Sequence, residues 1–246
     1  MHADFAEFPR PSQVDEVLEV LASSSGVRAI TIGGSRTTGG ADSESDWDLG
    51  VFYRGDFDWS HLAEFGEVHP PGSWGRFMNG GAWLRVGNVD VDVLFRDLDS
   101  VEHWTELAER GQYEVDMLLG YLAGFPSYTL VAEVASSKVL FGNLEIDPVY
   151  PEALAVNASE RWTFQRDFSI DYALMHARRR NEVGALGNLA RAAMEEGHRR
   201  MCAKREWVLN EKHLLGRAGL DDVFAVHLAK GDLVALIERF SASLRE

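Results

Sequence analysis

The chain has 246 residues, enough for one large domain or two small ones, and its apolar fraction of 46% is typical of a globular protein. No run of residues approaches the length of an apolar membrane span, residues 1–12 have no signal-peptide pattern, and Cys202 is the single cysteine, so we expect a cytoplasmic protein without a membrane partner or an intrachain disulfide. Residues 1–151 contain 9 Lys and Arg against 25 Asp and Glu, and a surface this acidic repels polyanions, which argues against duplex DNA or long RNA as a partner.

The first predicted element is an amphipathic helix opened by Pro11 and Ser12, with Ser12 as its N-cap. Apolar residues recur at helical spacing along it, at Val14, Val17, Leu18 and Leu21. The β-branched run over residues 27–32, bounded by glycines, then predicts a short buried strand.

The turn Gly33-Gly34-Ser35 after this strand predicts a phosphate-binding loop. Two glycines remove the Cβ atoms that would keep phosphate oxygens away from the backbone. Ser35 adds a hydroxyl donor, and a helix beginning near Ser35 would direct free N–H groups at the same anion. Arg36 follows directly and is a candidate to offset phosphate charge.

The next predicted strand contains Asp46-Trp47-Asp48 and ends near Tyr53. Residues two apart on a strand share one face, so Asp46 and Asp48 can converge on a cation while Trp47 and Leu49 face the core. Carboxylate oxygens suit Mg²⁺. Two ions about 4 Å apart would clamp the attacking and leaving oxygens of an in-line displacement.

A meander is predicted next. Residues 55–72 form a polar excursion, residues 74–77 and 82–86 are predicted strands around the hairpin signal Asn79-Gly80-Gly81, and Asn88 turns the chain into a further strand. An aromatic group in this region is a candidate to stack a base or a sugar, although hairpin core is the commoner role of such residues; its members are Trp59, Trp74, Phe77 and Trp83.

Acidic and apolar residues alternate with period two over residues 89–95, so Asp90 and Asp92 share the face opposite to the valines. Placing further carboxylates beside Asp46 and Asp48 costs free energy, through charge repulsion and desolvation, unless a cation is present. Asp92 is our choice for the third carboxylate, as metal ligand, as general base for an acceptor hydroxyl, or both. Asp90 is a competitor that the sequence leaves open.

Three runs together resemble the DNA polymerase β type nucleotidyltransferase superfamily, whose smaller members include aminoglycoside and minimal nucleotidyltransferases; they are Gly33-Gly34-Ser35-Arg36, Ser45-Asp46-Trp47-Asp48-Leu49 and Val91-Asp92-Val93-Leu94. The resemblance implies that Gly34 and Ser35 bind a nucleoside triphosphate. It also implies that Asp46 and Asp48 bind Mg²⁺ and that Asp92 completes the triad. Position 47 carries Trp, where the family usually has a small aliphatic residue. Because this side chain is expected to face the core, the difference affects the packing and not the chemistry of the site.

A helix over 101–122, a break at 124–126, a helix over 130–135 and a strand over 138–141 complete the first half, and the proline-containing residues 143–151 are the best linker candidate. Helices are predicted beyond it over 155–180, 182–204 and 207–215, the last of these ended by Gly216, with a final helix capped by Asp232. The predicted fold class is α/β (α+β), with a small mixed-sheet nucleotidyltransferase domain and flanking helices over 1–145 and a bundle of four or five helices over 146–246.

The segment 207–212 is similar to a helical segment with Asn and Lys near the nucleotide in small-molecule nucleotidyltransferases. The resemblance therefore implies Asn210 and Lys212 as further nucleotide contacts, with ordinary surface residues as the alternative.

These features predict a Mg²⁺-dependent enzyme that transfers a nucleoside monophosphate, with AMP from ATP favoured, to a hydroxyl of a small-molecule acceptor and releases pyrophosphate. One alternative is an antitoxin-like enzyme that AMPylates a protein partner, and another is a catalytically silent nucleotide-binding sensor. The sequence specifies no acceptor; an aminoglycoside agrees with the resemblance and with the acidic charge.

Overall fold

The structure is a computed structural model that describes residues 3–39, 45–147, 149–220 and 233–245. It is mixed α/β, as predicted, and comprises two compact units. One unit contains Met1–Glu106 and Leu130–Val149, and the other contains Leu107–Thr129 and Tyr150–Glu246. The units differ from the predicted domains 1–145 and 146–246 chiefly in segment 107–129, and the domain boundary itself stays a prediction.

The strands of the described residues are β1 (Val27–Ile32), β2 (Trp47–Tyr53), β3 (Gly66–His69), β4 (Gly80–Val86), β5 (Val89–Asp97), β6 (Val115–Asp116), β7 (Phe125–Pro126) and β8 (Lys138–Gly142). Six of them form one sheet in the order β3-β4-β5-β2-β1-β8. Within it β2 and β5 are parallel and every other neighbouring pair is antiparallel. The sheet belongs to the first unit, and its central parallel pair carries the acidic motifs.

The helices of the described residues are α1 (Ser12–Ser23), α2 (Ser35–Thr38), α3 (Gly75–Met78), α4 (Leu98–Glu109), α5 (Thr129–Ser136), α6 (Glu152–Arg178), α7 (Glu182–Ala203), α8 (Leu214–Arg217) and α9 (Leu233–Arg245). A single 3₁₀ turn spans Ser60–Glu64. Among these helices, none is both long enough and apolar enough to cross a membrane.

One sheet face packs against α1, and its core is built from the alternate residues predicted to face inward. The apolar stripe of α1 is fully buried, and Trp47 and Leu49 on β2 are buried with Val91 and Val93 on β5. Further along the sheet, the opposite face is covered by a second cluster that includes Phe52, Val101 and Leu130. The open part of that opposite face is where Asp48 and Asp92 lie, because they alternate with the buried residues.

Three local predictions in the first unit are wrong. Pro11, not Ser12, occupies the N-cap position of α1. Residues 75–78 form the helical turn α3 instead of a strand: Gly75, its first residue, and Asn79, which follows it, have φ angles of 90° and 64°, which do not occur in an extended strand. The strand that pairs with β4 is β3, which lies in the segment predicted as a polar excursion.

The helix predicted over 101–122 is half right. Helix α4 ends at Glu109, and Gly111 has a φ of +74°, a left-handed conformation that terminates helices. A Cβ on Gly111 would lie 2.7 Å from the Ala153 carbonyl oxygen. The following segment pairs β6 with β7 in the second unit.

The second unit is centred on the long helices α6 and α7, whose predicted bounds are confirmed to within three residues. The helix predicted over 207–215 is wrong, because residues 207–213 are not helical and the short helix α8 begins only at Leu214. Arg205 and His213 have positive φ angles that interrupt a helix on both sides. Helix α9 confirms the final predicted helix, while its predicted cap Asp232 lies outside the described residues.

Candidate active site

The turn after β1 lies directly against the first acidic strand. Gly33 donates its N–H to the Asp48 carbonyl oxygen at 2.9 Å. Gly34 has a φ of +67°, and a Cβ built on it would overlap the Asp48 carboxylate, lying 2.6 Å from its carboxyl carbon. A side chain at position 34 is therefore excluded twice, by the backbone conformation and by the carboxylate. The two halves of the predicted motif are in contact.

Helix α2 begins at Ser35 as predicted and is one turn long. Thr37, which the sequence did not single out, holds this turn. Its hydroxyl lies 3.0 Å from the Gly34 carbonyl oxygen and 3.1 Å from the Ser136 carbonyl oxygen at the end of α5. Thr side chains often donate a hydrogen bond to the carbonyl group three residues earlier, so Thr37 could have been recognised from its position three residues after Gly34.

Arg36 binds the segment that leads into β2. Its guanidinium donates to the Asp46 carbonyl oxygen at 3.1 Å and to the Ser45 carbonyl oxygen, and it lies over the Trp47 ring with 4.1 Å between Cζ and the centroid. The geometry gives Arg36 a contact with the backbone beside Asp46. Its predicted role of offsetting phosphate charge stays a prediction.

Asp48 and Asp92 are direct partners in the parallel pairing of β2 and β5. Neighbouring strands are about 4.8 Å apart, and paired residues project from the same face. Both side chains are half-buried, whereas Asp46 and Asp90 are exposed. Like charges at directly opposed positions repel each other, and a cation bound beside them would offset this repulsion.

Asp90 has a partner of its own. Its carboxylate accepts hydrogen bonds from Arg85 at 2.6 and 2.9 Å, and the two residues are paired across β4 and β5. An acid held by an exposed arginine is a poorer candidate for the third carboxylate than one aligned with Asp48. The register places Asp92, and not Asp90, opposite Asp48, and the role of Asp92 as third carboxylate stays a prediction.

The donor set suits Mg²⁺, which takes hard oxygen ligands. Within the described residues, no three side chains of His, Cys, Asp or Glu already form a metal-binding cluster, so Asp46, Asp48 and Asp92 do not converge on one point as they stand. Mg²⁺ sites of this kind use one or two carboxylates and complete the coordination with water and substrate phosphates. Asp48 beside the glycine turn and Asp92 next to it fit that partial set.

The aromatic group divides into core and surface residues. Phe77 is buried against Trp104, with ring centroids 4.9 Å apart, and Trp59 packs on the main core. Trp83 is 50% exposed on the same sheet face as Asp92, its direct partner across β4 and β5. The outward position of Trp83 between buried Ala82 and Leu84 was readable from the alternation in β4.

Asn210 and Lys212 lie in a loop of the second unit, not on a helix. The Asn210 side chain accepts the Lys212 N–H at 2.9 Å, a turn that competes with helix formation. Glu211 anchors the loop by accepting the N–H groups of Leu122 and Ala123 at 2.6 and 2.8 Å. The Lys212 side chain is exposed, and the nucleotide contacts implied for both residues stay predictions.

No protein-family model and no curated protein matches this chain in sequence. Solved structures that are similar to it include the following two. One is a nucleotidyltransferase-like protein from Exiguobacterium sibiricum, with 14% identity and a TM-score of 0.47 over 93% of this chain and 70% of that chain. The other is an aminoglycoside 6-adenyltransferase from Bacillus subtilis, with 11% identity and a TM-score of 0.30 over 96% of this chain and 90% of that chain.

Proposed function

We propose that this chain is a Mg²⁺-dependent nucleotidyltransferase that transfers a nucleoside monophosphate, AMP from ATP by preference, to a hydroxyl of a small-molecule acceptor. The observation that carries the proposal is the contact between the Gly34 turn and the Asp48 carboxylate, with Asp92 aligned beside it. A glycine turn of the kind that can bind phosphate thus adjoins a pair of carboxylates that can hold a cation. This combination has a chemical use in phosphoryl transfer, where positioning and charge stabilisation dominate.

In this mechanism the turn at Gly33, Gly34 and Ser35 holds the β- and γ-phosphates, and Arg36 keeps the Asp46 backbone in place. Asp48 and Asp92 would hold Mg²⁺, with Asp46 as a further ligand. The bound ion supplies neutralisation of phosphate charge in the transition state. The Asp92 carboxylate takes the proton of the acceptor hydroxyl, and the hydroxyl oxygen of the acceptor forms a bond to the α-phosphorus. The bond from that phosphorus to the oxygen that bridges it to the β-phosphate breaks, and pyrophosphate is released.

The test measures pyrophosphate release from each of the four nucleoside triphosphates with Mg²⁺, against a panel of hydroxylated small molecules. We expect Asp48→Asn and Asp92→Asn each to lower acceptor-dependent release by at least about 100-fold, because each removes a charge that acts in the transition state. Asp90→Asn is the matched control. It breaks an exposed ion pair and is expected to change release less than about fivefold.

Folding of each variant is checked by circular dichroism and thermal unfolding. Undiminished release by a folded Asp48→Asn protein would overturn the metal-site assignment. Loss of release in Asp90→Asn with retention in Asp92→Asn would move the base to Asp90. Triphosphate binding by the unaltered protein without release on any acceptor would reject the transferase in favour of a nucleotide sensor.

A further inference from the structure

Three aromatic rings form a cluster on the edge of the sheet next to the acidic pair. The ring centroids of His69 and Trp83 are 4.5 Å apart, those of His69 and Trp74 are 4.9 Å apart, and those of Trp74 and Trp83 are 5.4 Å apart. We call this cluster, composed of His69, Trp74 and Trp83, the aromatic shelf. All three residues belong to the first unit and lie on or beside β3 and β4.

The backbone is shaped to let the shelf lie against the sheet. A Cβ on Gly81 would be 2.6 Å from a ring carbon of Trp74, so only glycine leaves room for the indole there. Gly81 pairs with His69 across β3 and β4 and sits two residues before Trp83, on the same face. The ring of Trp74 thereby supports Trp83 from one side, while half of the Trp83 surface remains open to solvent.

The shelf aligns with the acids in one row across the sheet. Asp48 pairs with Asp92, Asp92 pairs with Trp83, and Trp83 pairs with Glu67, on the successive strands β2, β5, β4 and β3. At about 4.8 Å per strand, the Trp83 backbone lies roughly 10 Å from that of Asp48. The glycine turn follows β1, on the other side of the acidic pair.

The order of these residues across the sheet determines which substrate can contact the aromatic shelf; this step rests on the proposed function. In an in-line displacement the leaving pyrophosphate and the attacking oxygen lie on opposite sides of the α-phosphorus. With the triphosphate held on the β1 side and the α-phosphate over Asp48 and Asp92, the acceptor hydroxyl approaches from the β4 side. That side is where Trp83 presents its exposed ring.

We propose that the aromatic shelf is the acceptor subsite, and that its ligand is a hydroxyl-bearing ring compound whose ring face stacks on Trp83 while one hydroxyl reaches Asp92. A rigid aromatic surface binds the flat face of a ring at low entropic cost, and an acyclic polyol offers no such face. Trp83 is then a specificity-determining residue, distinct from the residues that bind phosphate and metal.

The test compares methyl glucoside, a locked ring, with glucitol, an acyclic polyol that also carries several hydroxyls. Binding of each probe to the protein with Mg²⁺ and a non-hydrolysable ATP analogue is measured by calorimetry at up to tens of millimolar. We expect the ring probe to bind at least about tenfold more tightly than glucitol, and Trp83→Ala to abolish this preference. Trp83→Phe should retain part of it, because a smaller aromatic face remains.

The second measurement separates this proposal from the proposed function. Pyrophosphate release to water from ATP, and the KM for ATP, should be the same in Trp83→Ala and the unaltered protein, while the KM for a ring acceptor rises about tenfold. Phe164→Ala is the matched control, since Phe164 is an aromatic residue that is 70% exposed on α6 of the second unit.

Equal binding of both probes by the unaltered protein, or an unchanged ring preference in a folded Trp83→Ala or Trp83→Phe variant, would overturn the acceptor subsite. A rise in the KM for ATP in Trp83→Ala would reassign the shelf to the nucleotide. Absence of pyrophosphate release from every triphosphate, with ring binding at Trp83 intact, would reject the proposed function and leave a ring-binding site.

Discussion

At position 34 a single hydrogen atom separates the backbone from the Asp48 carboxylate. Gly39, at the end of the same helical turn, also has a positive φ, +80°, but its ψ of 10° lies in the left-handed helical region, whereas Gly34 combines a φ of +67° with a ψ of −155°, a region that essentially only glycine adopts. Among the described residues, no atom beyond its chain neighbours lies within 4 Å of the Gly39 Cβ position. Both backbones disfavour a side chain, but only at Gly34 would a side chain also meet the Asp48 carboxylate.

We predict that Gly34→Ala lowers transfer by at least about 100-fold, because the new methyl group displaces the Asp48 carboxylate. Gly39→Ala should lower the free energy of unfolding by about 1–2 kcal/mol, the penalty of a left-handed non-glycine residue, and retain transfer. Thermal unfolding and pyrophosphate release distinguish the two effects. Equal activity losses in both variants would attribute the effect to strain alone.

A second residue-scale prediction concerns Arg36, whose planar guanidinium reaches two successive carbonyl groups beside Asp46. Lysine carries the same charge but lacks this fork. We expect Arg36→Lys to raise the Mg²⁺ concentration for half-maximal release by about tenfold, because Asp46 is held less firmly. Arg54→Lys is the control, since exposed Arg54 pairs with Asp99 and with Glu102 at 2.6 Å on the surface. If Arg36→Lys leaves the Mg²⁺ dependence unchanged, the positive charge of Arg36 is sufficient and its two hydrogen bonds do not position Asp46.

At the scale of elements, helix α7 carries two adjacent buried carboxylates with opposite surroundings. Burial raises the pKa of Glu196, but hydrogen bonds from Arg199, Arg200 and Arg166 outweigh it and hold the pKa below its usual value. Burial also raises the pKa of Glu195, and there the hydrogen bond from Arg191 only partly offsets it. One carboxylate therefore favours the folded state when ionised, and the other opposes it.

We predict opposite effects of two isosteric substitutions at pH 7. Glu196→Gln should lower the free energy of unfolding by about 3–5 kcal/mol, because three arginines, one of them buried, lose the carboxylate that they share. Glu195→Gln should be neutral or stabilising by up to about 1 kcal/mol, since it removes a charge that burial disfavours.

The pH dependence follows from the signs of the two shifts. The contribution of Glu196 is fully present above its unfolded pKa of 4.5 and is lost as pH falls through the lower folded value. The penalty from Glu195 develops as pH rises above 4.5, toward its raised folded pKa. Urea unfolding at pH 7 and pH 4 measures both, and each difference from the unaltered protein should shrink at the lower pH. Destabilisation by Glu195→Gln comparable to that of Glu196→Gln would contradict the assignment.

At the scale of the whole molecule, the net charge of −15 is confined to the part of the sequence that contains the sheet. Residues 1–151 carry 25 acidic against 9 basic side chains, while residues 152–246 are close to balanced, with 14 against 15. The acidic surroundings attract cations and repel anions over about 10 Å at moderate salt. Under the proposed function a triphosphate would enter as its Mg²⁺ complex, whereas a polynucleotide would bring far more negative charge than the candidate site could neutralise.

We therefore predict that duplex DNA neither binds this protein nor competes with ATP, even at low salt where electrostatic binding is strongest. Fluorescence anisotropy of a labelled duplex at low ionic strength measures binding, and pyrophosphate release with added DNA measures competition. Binding that weakens steeply with added salt would reveal a basic surface that the sequence totals conceal.

Much of the first unit was predictable because its signals are local. The period-two alternation on β5 and the helical stripe of α1 each depend on one element, and both were confirmed by burial. The wrong predictions lie in segments whose conformation depends on contacts with residues elsewhere in the sequence. Segment 112–122 is not helical because Gly111 packs closely against α6, and segment 207–213 is a loop because Glu211 binds the backbone of residues 122 and 123.

The sequence by itself determined which groups the candidate site contains, because residue type and spacing place Gly33, Gly34 and the acidic pairs in turns and on strand faces. The tertiary structure alone decided which acid stands beside Asp48, since strand register is a long-range property that no local pattern encodes. The same register aligned Trp83 with Asp92 and left its ring exposed. Local patterns thus specify which groups are present, and the pairing of distant strands specifies which of them can act together.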